Sequence, residues 1–147
     1  MNYLLDTNIL VHLVRKSPVK AMVEQEFHLA DTQNTSIVSV VSLGEIRSLA
    51  IQNHWGQQRI DILEEILKQY LVADINSEDV IERYAEIDAF SQGKLPGRPL
   101  GLTARNMTKN DLWIAATASV LEATLITTDT DFAHLDGVFL NLAQIAA

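Results

Sequence analysis

Asp6 in YLLDTN, Glu45 in SLGEI, Asp111 in KNDLWIAA and Asp129 in LITTDTDF are far apart along the chain. Each nevertheless stands where a β-prone apolar run ends or a helix is set to begin. Carboxylates brought within about 4 to 6 Å repel and raise one another's pKa, so a converged group of them calls for cations. Ligation by oxygen alone favours Mg2+ or Mn2+ over a zinc site built from His and Cys. One or two such ions suit hydrolysis of a phosphoryl ester, because metal orients the attacking hydroxide and stabilises the leaving oxygen.

Each acid also has a plainer reading. Glu45 follows Ser42, and Asp111 follows Thr108, at capping-box spacing, and first-turn acids complement the helix dipole. Asp6 and Asp129 can be turn residues closing strands. Asp74, which ends LVAD, meets the same criterion of position, so the pattern alone selects five or six acids rather than four.

The elements that must position these residues follow from periodicity. YLL predicts a first strand over about residues 2–5. Ile9, Leu10, Leu13 and Val14 recur at helical spacing, and Ser17-Pro18 ends that helix and opens another carrying Val19, Met22, Val23 and Phe27 inward. TSIVSV (35–40) predicts a second strand, Ser42 to about His54 a helix, and 57–69 a further helix. LVADI predicts a third strand, Ser77 onward a helix with Val80, Ile81, Tyr84, Ile87 and Phe90, and ATLITT a fourth strand. VFLNL (138–142) predicts the last. Between Phe90 and Asp111 runs a loop of about twenty residues, long enough to suggest function or disorder.

Strands alternating with helices predict one α/β domain over 1–147, with a mostly parallel five-stranded sheet covered by helices on both faces. Ligands of such sheets bind beyond the carboxyl ends of the strands. Strand-ending and helix-opening residues share that edge, which places all four acids there.

Composition limits the function classes. The 147 residues are 48% apolar and contain no cysteine, which excludes a disulfide framework and a thiolate metal site. The short apolar run at the start is broken by Asp6 and Asn8, so it predicts neither signal peptide nor membrane anchor, and the expected location is the cytoplasm. A net charge of −8 argues against nonspecific binding of a polyanion by bulk electrostatics. Yet residues 89–110 hold no acid while carrying Lys94, Arg98, Arg105 and Lys109. This stretch is either a solvated loop or a local phosphate-binding surface.

LLDTNILVHLVR, SLGEI, NDLWIAATA and LITTDTDFAHL resemble, in order, the motifs of PIN-domain ribonucleases, and specifically the VapC-type toxins of toxin-antitoxin pairs. The resemblance spans nearly the whole chain; Ile46-Arg47 departs from the small or apolar residues often found there. It implies a PIN-like domain and a metal-dependent endoribonuclease, with Asp6, Glu45, Asp111 and Asp129 as catalytic metal ligands. Asp131 would be a further ligand or water holder, and Thr7, Asn8 and Thr128 would orient the acids through hydrogen bonds. Thr7 and Asn8 can equally serve as helix caps. Lys94, Arg98, Arg105 and Lys109 would contact RNA phosphates. An antitoxin that inserts an arginine among the carboxylates, and a homodimer, are also implied.

Rival readings divide on particular residues. A haloacid-dehalogenase-type phosphatase needs a second acid two residues after Asp6, where Asn8 stands. A response-regulator receiver needs an acidic pair near strand 1 and a late lysine, and the chain has no lysine after Lys109. A non-catalytic RNA- or protein-binding module on the same fold stays open. The histidines share no metal-ligand spacing and are expected at the surface or at helix ends, and Trp113 is expected in the core.

Overall fold

Tyr3, Leu4 and Leu5 are apolar without alternation, the signature of a strand buried on both faces, and they form the middle of the sheet. The structure is a computed structural model describing all residues 1–147. Its strands are β1 (Asn2–Leu5), β2 (Thr35–Ser39), β3 (Leu71–Ala73), β4 (Thr124–Thr127) and β5 (Asn141–Gln144). They form one sheet, parallel throughout, in the order β3-β2-β1-β4-β5. The helices are α1 (Thr7–Arg15), α2 (Pro18–Phe27), α3 (Val40–Gln52), α4 (Gln57–Lys68), α5 (Glu78–Ser91) and α6 (Lys109–Val120). None is long and apolar enough to cross a membrane.

Strand parity divides the core into two halves. Tyr3, Leu5, Val38 and Ile126 face a cluster built with α1 to α4, including Ile9, Leu10, Val23, Ile46 and Leu63. Leu4, Ile37 and Leu125 face the opposite cluster, with Val80, Ile87, Phe90, Ile114 and Phe132. The expected α/β architecture is thus present, with helices on both faces.

Three boundaries differ from the sequence expectation. Ser39 ends β2 and caps α3 by accepting the Val41 N–H at 3.1 Å, so the cap stands three residues before Ser42 and the helix opens at Val40. Ser42 and Glu45 therefore lie inside the helix, and the capping box does not form. The misleading signal was β-branching: Val40 and Val41 have strand propensity, but tertiary packing turns them into the first helical turn. The last strand begins at Asn141, not Val138. Gly137, at φ +74°, opens a turn in which its N–H donates to Leu140 O at 2.8 Å, and Phe139 and Leu140 pack onto the core. Asp74 closes β3, with Oδ1 accepting the N–H groups of Ile75 and Asn76 at 2.7 and 3.0 Å.

The connection from α5 to α6 has no regular element but is anchored. Arg105 N–H donates to Ser91 O at 2.7 Å, and Gln92 Nε2 donates to Asn106 Oδ1 at 2.9 Å. Leu95, Leu100 and Met107 pack against the core. The loop is thereby an ordered wall beside α6.

Candidate metal centre

The strand order reverses between β1 and β4. The chain leaves β1 toward β2 and leaves β4 toward β5, which opens a crevice beyond their carboxyl ends. Asp6 follows β1 directly and Asp129 follows β4 by two residues, so the two flank this crevice. Asp111 enters from the first turn of α6, where Thr108 Oγ1 accepts its N–H at 3.1 Å. Glu45 enters from the middle of α3. Together Asp6, Glu45, Asp111 and Asp129 line one open pocket of about 300 Å³. Asp74 is exposed, spends its carboxylate on its own turn and takes no part in that pocket.

Asp6 is the most enclosed of the group at 4% exposure. As N-cap of α1 it accepts the Thr7 N–H on Oδ1 at 2.8 Å. Its Oδ2 accepts from the Thr127 hydroxyl at 2.7 Å and from Asn8 Nδ2 at 3.2 Å. Asn8 reaches across with Oδ1 to accept the Thr128 N–H at 3.2 Å. The cap of α1 is therefore Asp6, not Thr7 or Asn8, while the Thr7 hydroxyl donates to Glu45 Oε1 at 2.8 Å and lies 2.9 Å from Ser42 Oγ. Thr7 and Asn8 thus each donate a side-chain hydrogen bond to an acid of the pocket.

Thr128 bonds no acid and contributes only its N–H, to Asn8; the hydroxyl that meets the acids belongs to Thr127. Fully buried, Thr127 donates to Asp6 and accepts the Asp129 N–H at 2.9 Å, coupling the two acids through one atom. The Thr-x-Asp spacing of a side-chain turn was a local sign of half this role. Its bond to Asp6 depends on β1 and β4 being neighbours. Ser42 was likewise visible only as a supposed cap.

Asp111, Asp129 and Asp131 bring carboxylate oxygens within 4.8 Å of one another. Asp129 Oδ1 also accepts the Asp131 N–H at 2.9 Å, which folds the acidic turn back on itself. The tightest trio therefore includes Asp131, with Asp6 and Glu45 on the adjoining wall. Burial pushes the Asp111 carboxyl up from 3.8 to about 6, and Asp6, Asp129 and Glu45 add repulsion. Asp6 is raised chiefly by burial, against the opposing bonds from Thr127 and Thr7 and with Glu45 and Asp129 beside it. An all-oxygen set of partly desolvated, mutually repelling acids matches the needs of a hard divalent cation.

A model of the PIN domain matches residues 3–138. The chain belongs to the PIN-domain family. It is 31% identical to ribonuclease VapC1 of Haemophilus influenzae (strain R2866) over 127 residues, 86% of each protein. Among solved structures it resembles VapBC2 of Rickettsia felis bound to a promoter DNA fragment, with a TM-score of 0.76, 27% identity and 98% of both chains covered. It also resembles VapBC-1 of nontypeable Haemophilus influenzae, with a TM-score of 0.69, 26% identity and the same coverage. The family expected from the four motifs is the one found.

Of the basic residues expected to meet phosphate, Arg98 has partners of its own. Arg98 stacks on Phe139 at 4.7 Å and donates to Val138 O at 3.4 Å. Phe139 O accepts from Ser119 near the C-terminal end of α6, about 12 Å along that helix from Asp111. Arg98 is thereby committed at the end remote from the acids. Lys109 opens α6 beside them. His134, expected at the surface or at a helix end, lies in a short helical turn (Ala133–Leu135) but is buried, bonded to Ser91 Oγ at 2.8 Å and stacked on Phe90. Trp113 is half-buried against Tyr84, with ring centroids 4.3 Å apart.

Proposed function

We propose that the protein is a divalent-metal-dependent endoribonuclease acting as the toxin of a VapBC-type toxin-antitoxin pair in the cytoplasm. The observation that carries this reading is the meeting of Asp6, Glu45, Asp111 and Asp129 around one pocket at the β1/β4 crevice of a PIN-domain chain. Asp6, Glu45, Asp111, Asp129 and Asp131 would hold Mg2+ or Mn2+. Bound there, such an ion supplies an activated water and charge neutralisation for in-line hydrolysis of an RNA phosphodiester, leaving 5′-phosphate and 3′-hydroxyl ends.

The chain's own residues supply position. Thr127 and Asn8 hold Asp6 Oδ2, which leaves the Asp6 carboxylate one fixed rotamer instead of several. Thr7 does the same for Glu45 from the opposite wall. Lys109, with Lys94 and Arg105, would neutralise RNA phosphates approaching the acids; Arg98 would join them only by leaving Phe139. The family likeness supports an antitoxin partner whose guanidinium group would pair bidentately with the carboxylates and compete with metal. It also supports a homodimer.

The deciding assay is metal-dependent cleavage of a panel of RNAs by wild type, Asp6→Asn and Asp129→Asn. We expect cleavage with Mg2+ or Mn2+, none with EDTA, and a loss of at least about a hundredfold in each variant, as for removal of a group that acts in the transition state. Equal cleavage by the variants would trace the activity to a contaminant. A 2′,3′-cyclic phosphate product would refute hydrolysis by external water.

A further inference from the structure

The chain carries eleven lysines and arginines, and Lys20, Arg47 and Lys68 are paired with carboxylates. Arg15, Lys16 and Arg59 have no carboxylate within 4.0 Å, although the net charge is −8. These three share the walls of one cavity of about 560 Å³ with His54, Trp55 and Gln58, and no acid takes part in it. Three exposed cations without ion-pair partners, gathered at one cavity of an acidic protein, make a local positive patch that attracts an anion.

The backbone around the cavity has the same polarity. The 12-residue α4 opens on Gly56, which offers its first N–H groups no side-chain oxygen, so the positive end of the helix is uncapped. Trp55 forms part of the cavity wall, is only 7% exposed, and its indole Nε1–H has no partner in the protein. The Arg59 guanidinium lies 5.5 Å from that ring centre, which holds the cation at the cavity. Lys16 enters as the left-handed cap that ends α1, at φ 54°.

This cavity adjoins the carboxylate pocket. Arg15 lines both. Asp6 caps one end of α1 and Arg15 closes the other, about 13 Å along the axis, so only an extended strand spans the two.

We propose that the Arg15–Lys16–Arg59 cavity is a phosphate subsite for the backbone of single-stranded RNA whose scissile bond lies at the carboxylates. The inference rests on the nuclease reading above and names where that substrate continues. An acidic peptide offers the same cations carboxylates in place of phosphates. RNA is favoured because Arg15 links the cavity to a site suited to phosphodiester chemistry.

The test compares Asp129→Asn protein, which keeps RNA intact, with the same protein carrying Arg15→Gln, Lys16→Gln and Arg59→Gln. Binding of a fluorescent single-stranded RNA is followed by anisotropy across a salt series with Mg2+ present. Loss of three phosphate contacts should lower the magnitude of the log K against log salt slope by about 2 and weaken binding roughly tenfold or more at low salt. Single Lys16→Gln and Arg59→Gln variants, each verified by melting temperature, should show about a third of the slope change, which guards against a misfolded triple variant. Unchanged affinity and slope in the variants, with RNA still bound by the parent, would overturn the subsite alone. Tighter binding of polyglutamate than of RNA of equal length, lost in the triple variant, would overturn it in favour of an acidic peptide. A wild type that neither binds nor cleaves any RNA would instead remove the nuclease reading.

Discussion

Replacing Asp111 by Asn should stabilise the metal-free protein near neutral pH while damaging its metal site. In the native state burial and three neighbouring acids raise the Asp111 carboxyl from 3.8 to about 6. The folded chain therefore holds this proton more tightly than the unfolded chain. Stability is fully present below about pH 4, falls as pH rises toward 6, and stays at the lower level above it. A rise of about two pH units corresponds to roughly 3 kcal/mol. Asp111 is only half-buried, and solvent screening reduces this to about 1.5 kcal/mol. Losing a negative charge in the first turn of α6 costs about 0.5 kcal/mol through the helix dipole. The net gain in the variant is about 1 kcal/mol at pH 7.5, or about 2 to 4 °C in Tm for a chain of this size. Thermal denaturation in EDTA at pH 7.5 and at pH 4 measures it. The gain should vanish at pH 4, where wild-type Asp111 is already neutral, and adding Mn2+ at pH 7.5 should stabilise wild type more than the variant. A variant no more stable than wild type at pH 7.5, or a gain that persists at pH 4, would refute the account of Asp111 as a strained acid awaiting a cation.

Because metal must displace the Asp111 proton, the apparent affinity for Mn2+, measured by titration calorimetry, should be nearly flat above pH 7 and fall about tenfold per pH unit below 6. Thr127→Val removes the hydroxyl that donates to Asp6 Oδ2 and accepts from Asp129 N–H. It should cost about 1 to 3 kcal/mol in urea denaturation and weaken cleavage, and Thr127→Ser should recover most of both. Thr7→Val leaves the backbone cap of α1 intact but frees Glu45 and takes a partner from buried Ser42, so cleavage should fall with a loss of about 1 kcal/mol in urea denaturation.

Much of the fold was legible because its signals are local. The apolar YLL and TLIT runs are read as buried strands from a few consecutive residues, and helical periodicity plus Ser17-Pro18, Ser77 and Thr108 marked helix starts that the structure contains. Where local signals compete, the reading slipped. Val40 and Val41 favour strand by propensity, yet Ser39 caps a helix that contains them. VFLNL looks like a strand, yet Gly137 spends its first residues on a turn.

The sequence by itself determined which acids were available at the carboxyl edge and, through the four motifs, the family. Only the tertiary structure decided which of them meet. Asp74 and Asp129 end strands in the same local way, but β3 lies at the sheet's rim while β4 borders β1, so one acid faces its own turn and the other faces Asp6. The Thr127 bond to Asp6 spans 121 residues, and the Thr7 bond to Glu45 spans 38. Strand order sets such contacts, and strand order depends on how two half-cores bury opposite faces of one sheet. No window of neighbouring residues carries that information. The cation pattern shows the same limit: Arg98 lies in a basic stretch of sequence yet is held against Phe139, while Arg15 and Arg59 are 44 positions apart and share a cavity.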